Sequence, residues 1–264
     1  MENTTNGNLD SGAAMEGRRI TKERLLKLLD SLSPAQDEWF TVYLTSESLL
    51  TRSKGLTSGN QNDRRPADIS SLIENESLQR ALQRYHTGLV LFRSDASVLA
   101  VVPPFPVTED AFVVGAPHTE PLRDILQRPR RTLLILVTWG AYMIALYSGD
   151  SLIRHKKGTG HIHPPHKKGG SSQGRFARRT EEQRKEFLKR VGGHIDAELV
   201  GETVEHIYFG GNRLILRPLM ADSRFLRDHT SLLSPRTLLV KRASRDALDG
   251  AFIEASSGLL FQSR

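Results

Sequence analysis

Apolar and polar residues follow each other in short runs that predict both strands and helices. Apolar runs typical of strands occupy 38–46, 88–94, 97–103, 110–115, 206–211 and 213–219. Apolar residues at helical spacing predict helices over 20–32, 70–86 and 118–129, and helical or partly helical segments over 224–233 and 244–261. This mixture of strands and helices predicts an α/β fold.

The most apolar stretch of the chain is TLLILVTWGAYMIALY, residues 132–147. It is shorter than the ~20 apolar residues that span a bilayer, and Trp139 and Gly140 interrupt it. It therefore predicts two buried strands joined by a tight turn, and no membrane segment.

A long exposed loop is predicted over 155–174, because this stretch has no apolar periodicity and is rich in Gly, Pro and His. A basic helix is predicted to follow, capped by Ser171 or Ser172 and ended by Gly192 and Gly193. The side of this helix predicted to face the core carries Phe176, Thr180, Gln183, Phe187 and Val191.

Composition and charge narrow the classes of function. The chain has 264 residues and no cysteine, which excludes disulfides, thiolate metal sites and cysteine nucleophiles and suits a reducing cytosol. Residues 1–18 lack the pattern of a secretory signal and predict a disordered tail. The formal charge is +7, yet residues 154–190 alone hold twelve Lys and Arg against three Glu, a net charge of +9. This concentration favours a polyanion-binding surface, with a solvated loop and helix as the alternative.

Familiar catalytic and cofactor motifs are missing from the basic segment. Its histidines, His155, His161, His163 and His166, lie in a Pro- and Gly-rich loop that would hold a metal poorly, and no carboxylate run accompanies them. The glycines match no nucleotide-binding motif, and the serines lack a nucleophile elbow. The sequence therefore predicts no metal and no cofactor.

The loop and the helix together indicate a chemistry that needs no titrating side chain. The flexible glycines Gly169 and Gly170 allow a backbone N–H to approach a reacting carbonyl, and Gln173 can orient water through hydrogen bonds. The basic helix can hold the phosphates of an RNA acceptor end. This combination suits hydrolysis of an ester on tRNA. The alternative is that Gln173 is only a polar residue at a helix start.

The segment KKGGSSQGRFARRTEEQRKEFLKRVG, residues 167–192, resembles the glutamine-loop region of archaeo-eukaryotic class I peptide release factors. The preceding LLILVTWGAYMIALYSGDSLIRHKKG and the later DHTSLLSPRTLL resemble flanking parts of the same domain. Ser171 and Ser172 separate the glycines from Gln173, which is the GxxQ form of the Vms-like release factors and their bacterial relatives. That group is linked to releasing nascent chains from stalled ribosomes. Nothing resembles a codon-reading domain, so stop-codon recognition is not expected.

The resemblance implies a disordered tail (1–18), a smaller N-terminal α/β subdomain (19–130), and a ribonuclease-H-like release-factor domain (131–264) with its loop at 155–174. It implies a cytoplasmic, monomeric peptidyl-tRNA hydrolase whose partners are the large ribosomal subunit, peptidyl-tRNA and ribosomal RNA. The implied catalytic residues are Gln173, Gly169, Gly170, Ser171 and Ser172. The implied RNA-binding residues are Lys156, Lys157, Lys167, Lys168, Arg175, Arg178 and Arg179. A non-catalytic ribosome- or RNA-binding protein of the same fold and a nuclease of the tRNA end stay open as alternatives.

Overall fold

The computed structural model describes residues 16–32, 38–55, 73, 75–162 and 173–263. The chain divides into two compact units: one runs to Leu126 and includes the C-terminal residues from Ser257, and the other comprises 127–256. The division at Leu126 lies close to the predicted boundary at residue 130. The C-terminus differs from the prediction, because its residues join the first unit and not the release-factor-like domain.

The elements follow one another in a regular order. The first unit contains β1 (Arg18–Ile20), α1 (Lys22–Ser31), β2 (Trp39–Leu44), α2 (Ser46–Gly55), α3 (Glu76–Tyr85), β3 (Leu89–Arg93), β4 (Val98–Val102), β5 (Ala111–Gly115) and α4 (Glu120–Gln127). The second contains β6 (Arg131–Thr138), β7 (Ala141–Ser148), β8 (Ser151–Thr159), α5 (Gln173–Glu198), β9 (His206–Gly211), α6 (Arg213–Asp222), α7 (Arg224–Asp228), a 3₁₀ turn (Thr230–Leu232), β10 (Leu233–Leu238) and α8 (Arg245–Ala255). The last strand, β11 (Gly258–Ser263), belongs to the first unit.

The described strands of the first unit form an antiparallel sheet in the order β1-β11-β4-β3-β2-β5. Alternate residues of β3 face opposite layers: Phe92 packs in the layer of α1 and α4, whereas Leu91 packs in the layer of α3. The disordered tail predicted for 1–18 extends too far, since β1 begins at Arg18 and pairs with β11. Residues 1–15 lie outside the described residues. The helix predicted from residue 20 begins after this strand.

The described strands of the second unit form a mixed sheet in the order β10-β9-β6-β7-β8. β7 is antiparallel to both β6 and β8, whereas β6, β9 and β10 are mutually parallel. Numbered along the chain, these strands lie in the order 3-2-1-4-5 with the second antiparallel, which is the topology of ribonuclease-H-like domains. The predicted α/β fold and the buried pair β6 and β7, joined by a turn at Trp139 and Gly140, are confirmed.

Helices cover both faces of this second sheet. α5 and α6 pack on one face, where Phe187 and Val191 of α5 are buried against Ile135 and Ile144 of the sheet. α8 packs on the other face, where the ring of Phe252 stacks on that of Tyr147 at 4.0 Å between centroids. Among the described residues, no helix is long and apolar enough to cross a membrane.

Two predictions for the second unit are wrong. α5 continues through Gly192 and Gly193, and Gly192 is a packing position, since a Cβ there would lie 2.5 Å from the carbonyl oxygen of Asp222. The strand predicted over 213–219 is α6, which the Asn212 side chain caps by accepting the Leu214 N–H. The segment 244–261, predicted as helical or partly helical, is a helix as far as Ala255 and then gives way to β11.

Candidate nucleic-acid interface

The glutamine loop connects the end of β8 to the start of α5. β8 runs to Thr159, so the predicted loop of 155–174 is too long at its start: residues 155–159 pair with β7. Gln173 is the first residue of α5, which places the predicted catalytic glutamine at a helix N-terminus. The predicted site residues Lys167, Lys168, Gly169, Gly170, Ser171 and Ser172 lie outside the described residues, as do His163 and His166.

The entry to the loop starts from a fixed platform. The Gly160 N–H donates to the Gly140 carbonyl oxygen at 2.9 Å, and Arg190 Nη2 donates to the Thr159 carbonyl oxygen at 3.4 Å. Gly160 packs so closely on α5 that a Cβ would lie 2.5 Å from the Phe187 ring. The entry to the loop is therefore held against the middle of α5.

The N-terminal part of α5 extends beyond this platform. Fourteen residues separate Gln173 from Phe187, which corresponds to about 21 Å along a helix axis. Residues 174–179 are all exposed, and the first buried residue of α5 is Thr180. The prediction that Phe176 belongs to the core is wrong, since its side chain is 45% exposed, whereas Phe187 is 1% exposed as predicted.

Three arginines cluster on the exposed start of α5. Arg175, Arg178 and Arg179 are exposed, and within the described part of the chain none of them forms an ion pair with a carboxylate. Farther along, Arg184 lies 3.8 Å from Glu181. Positive charge that is not neutralised is therefore concentrated at the end of the helix next to the loop.

The two lysines of β8 differ in their surroundings. Lys156 lies opposite Ile144, on the face covered by α5, and its Nζ is 3.8 Å from Glu198. Lys157 alternates to the other face, is exposed, and has no carboxylate partner among the described residues. The structure thus leaves Lys157 more accessible to an anionic ligand than Lys156.

Perturbed titratable groups lie away from the loop. The Tyr142 hydroxyl contacts His194 Nδ1 inside the β7–α5 layer, and burial raises the pKa of Tyr142. Burial, and next the charge of Arg130, lower the pKa of His206 to about 4. His206 begins β9, at the edge of the sheet opposite to the end of β8. Within the described ranges no group of three His, Cys, Asp or Glu could hold a metal ion.

His206 gives the second unit a pH-dependent stability. Because its folded pKa is lowered from 6.5 to about 4, the unfolded chain binds the proton first as the pH falls. Stability is full above pH ~6.5 and is lost between pH ~6.5 and ~4, by up to about 2 kcal/mol after allowance for the partial exposure of the ring. His206→Asn should flatten this dependence relative to the parent when urea unfolding is measured at pH 7 and pH 5. An equal loss in both proteins would contradict this assignment.

A feature that the sequence pattern did not predict lies at the ends of β6 and β9 opposite to His206. A cleft of about 570 Å³ lies beyond the carboxyl ends of β6 and β9, between the Trp139–Gly140 turn and the segment that carries Lys241 and Arg242. The hydrogen bond from Gly160 to Gly140 joins this turn to the entry of the glutamine loop. The sequence offers one signal at this position, the Trp-Gly pair between two apolar strands. This pair predicts a turn and does not by itself indicate a cleft.

Comparison with known proteins identifies the second unit. Residues 130–259 match the family model of the Actinobacteria/chloroflexi VLRF1 release factor. Peptide chain release factor subunit 1 of Thermococcus sibiricus is 30% identical over 140 residues, which cover 45% of this chain. The matched region spans 32% of that relative, so the chain corresponds to about a third of its length.

Solved structures of low identity also align with the chain. The archaeal translation termination factor aRF1 is 18% identical, with a TM-score of 0.36 over 89% of this chain and 70% of that structure. The Vms1 mitochondrial localization core is 14% identical, with a TM-score of 0.38 over 90% of this chain and 92% of that structure. Residues 130–259 match the family model, and the Thermococcus protein is 30% identical over 140 residues, which confirms the resemblance drawn from the loop and its flanks: the second unit is similar to release factors, and the VLRF1 release factors are the family that it matches.

Proposed function

We propose that this protein is a ribosome-associated peptidyl-tRNA hydrolase that releases nascent chains from stalled ribosomes or large subunits without reading a stop codon. The observation that carries the proposal is the position of the GxxQ glutamine: Gln173 begins α5, at the tip of an exposed basic helical segment, within a unit that matches release factors. A loop at such a tip can enter a narrow site while the body of the protein stays outside.

The proposed chemistry depends on positioning and on hydrogen bonds. Gln173 orients a water molecule or the terminal ribose, and a backbone N–H of the loop stabilises the oxyanion that forms at the ester carbonyl. Gly169 and Gly170 give the loop the backbone freedom for that approach, and Ser171 and Ser172 set the spacing to the glutamine. The bond between the acyl carbon and the ribose oxygen breaks, water supplies the hydroxyl of the released peptide acid, and the other proton of that water goes to the ribose oxygen, which becomes a hydroxyl.

The proposed RNA contacts come from the cations around the loop. Arg175, Arg178 and Arg179 are exposed and have no carboxylate partner in the described part of the chain, so they can bind phosphates of ribosomal RNA or tRNA. Lys157 extends this basic surface from β8, and Lys167 and Lys168 belong to the loop itself. Lys156 contributes less, because it shares Glu198.

Removing the charge of these arginines should weaken ribosome binding in a salt-dependent way. In a variant with Arg175→Gln, Arg178→Gln and Arg179→Gln, the slope of log K against log of salt concentration should fall by about 2 to 3, because each lost phosphate contact removes ~0.7 to 0.9. Pelleting with large subunits over a range of salt concentrations measures this slope.

The matched control replaces three exposed arginines of other helices, Arg84, Arg217 and Arg245, by Gln. It removes the same net charge and should keep the slope of the parent. Equal slopes for the two triple variants would mean that net charge, and not the start of α5, determines binding.

Release of a labelled peptide tests the activity directly. The parent protein is added to isolated large subunits that carry peptidyl-tRNA, and the free peptide and the 3′ end of the tRNA are analysed together. Free peptide with an intact tRNA end is the expected result. Binding without release would support the non-catalytic ribosome binder, and a shortened, chelator-sensitive tRNA end would support the nuclease.

A further inference from the structure

A cleft near the entry of the glutamine loop combines an aromatic ring with positive charge. Trp139 forms the turn between β6 and β7, its side chain is 36% exposed, and it lines the cleft. Lys241 and Arg242 line the same cleft, and both are exposed. None of the described residues that line it is acidic.

The tryptophan ring is held in place on one side. The Arg184 guanidinium carbon lies 4.8 Å from the ring centroid, an arrangement in which the cation and the ring attract each other. Gly140, with φ of +87°, makes the tight turn, and its carbonyl oxygen accepts from Gly160. A ring supported on one face is a platform on which a second planar group can stack.

The cations around this ring are not neutralised. Neither Lys241 nor Arg242 has an ion-pair partner within the described ranges. Arg184 has a distant pairing with Glu181 at 3.8 Å, and its Nε is buried without a hydrogen-bond partner among the described residues. The cleft thus offers a stacking surface together with donors for an anion.

We propose that this cleft binds one unpaired nucleotide of RNA, with the base stacked on Trp139 and the phosphate held by Lys241 and Arg242. Base stacking on an aromatic ring beside basic side chains is the usual way in which proteins hold single-stranded RNA. The volume of about 570 Å³ falls in the range of small-ligand clefts. The choice of RNA as the ligand rests on the proposed function. It assigns the cleft the role of holding RNA beside the loop while Gln173 acts.

Fluorescence quenching tests the stacking. The chain has two tryptophans, so Trp39→Phe leaves Trp139 as the single emitter. The probes are an RNA minihelix with an unpaired 3′ CCA end, the same minihelix with a blunt end, and a short single-stranded oligouridine. We expect quenching by the CCA probe and none by the blunt probe. Quenching by oligouridine as well would indicate any unpaired strand, including ribosomal RNA, and its absence would indicate the tRNA end.

Variants separate stacking from a structural role. In the full-length protein, Trp139→Ala should weaken binding of the CCA probe by about 5- to 100-fold, whereas Trp139→Phe should restore much of it. Arg242→Glu should weaken binding, whereas Arg217→Glu, an exposed arginine that does not line the cleft, should not. Equal quenching by blunt and CCA probes, or unchanged binding by Trp139→Ala, would overturn the inference.

The outcome for the cleft is independent of the outcome for release. Gln173→Ala should keep the quenching of Trp139 by the CCA probe. Quenching in a protein that releases no peptide would remove the proposed function and leave the cleft as an RNA site. Release in a protein that shows no quenching would leave the proposed function and remove the cleft.

Discussion

Gln173→Ala is expected to slow peptide release by about 10²-fold or more while leaving binding to large subunits unchanged. The expected size follows from the loss of one positioned hydrogen-bonding group. Ribosome binding should persist because the proposed phosphate contacts are those of Arg175, Arg178 and Arg179, which the substitution leaves in place. Single-turnover release on isolated subunits measures the effect without a contribution from product dissociation.

Two further variants make this result specific. Gln83→Ala changes an exposed glutamine of α3 in the first unit and should release at the parental rate. Gln173→Asn keeps the amide but shortens the side chain by one methylene, so it should be impaired nearly as strongly as the Ala variant if position decides the rate. Parental release by Gln173→Ala would exclude the glutamine from the chemistry and favour a loop that only binds.

Arg236→Met is expected to destabilise the second unit by about 3 kcal/mol. Arg236 lies on β10 and is 2% exposed, and its guanidinium donates to the carbonyl oxygens of Glu254 and Ala255 at 3.2 and 2.6 Å. These carbonyls end α8, where a helix has unpaired acceptors and a negative dipole end. Met fills a similar volume but leaves both acceptors buried without this donor, which is the costly part of the change.

Chemical unfolding followed by Trp139 fluorescence, in the Trp39→Phe background, measures the second unit by itself. Arg245→Met, on the exposed surface of α8, is the matched control and should change stability by less than about 0.5 kcal/mol. Arg236→Lys keeps the charge with fewer donors in a fixed geometry, so it should fall between the parent and Met. If Met were as stable as the parent, the helix end would have to be satisfied by groups other than Arg236.

Local patterns predicted the elements whose environment is uniform along their length. The interiors of β6 and β7, residues 133–137 and 141–147, are apolar and buried, so the prediction for 132–147 is correct. α5 is different, because the same apolar spacing includes Phe176 and Phe187, yet only Phe187 is buried. The part of the helix that carries Phe176 extends beyond the body of the unit. The spacing of apolar residues along a helix predicts which side of the helix faces the core. It does not predict at which residue the helix extends past the core.

Glycine and strand signals failed where tertiary contacts decided the outcome. Gly192 was interpreted as a helix end, yet it is the point at which α5 and the end of α6 approach each other. The segment 213–219 carries strand-like residues, yet the Asn212 cap and the burial of Ile215 and Leu219 four residues apart make it a helix. The close approach at Gly192 and the burial of Ile215 and Leu219 depend on neighbours that are distant in sequence.

The candidate site was predictable where it is local in sequence and unpredictable elsewhere. The glutamine, the glycines and the arginines occupy one continuous stretch, so their spacing alone indicated a loop and a basic helix. The cleft at Trp139 is lined by the β6–β7 turn and by the residues after β10, which lie about a hundred positions farther along the chain, and Arg184 of α5 supports the tryptophan ring. A hydrophobic pattern carries no information on such a meeting of segments.

The exposed start of α5 sets the distance between Gln173 and the body of the second unit. Residues 174–179 are exposed, so their helical order depends mainly on backbone hydrogen bonds that continue from the buried turns around Phe187. The distance of Gln173 from the body of the unit therefore depends on the length of this helical segment. Four residues more or fewer would shift Gln173 by about 6 Å along the helix axis and rotate it by about 40° around that axis. The distance of Gln173 from the body of the unit and its position around the helix axis therefore change together. Insertions and deletions in this segment are compatible with the proposed function only when both stay acceptable.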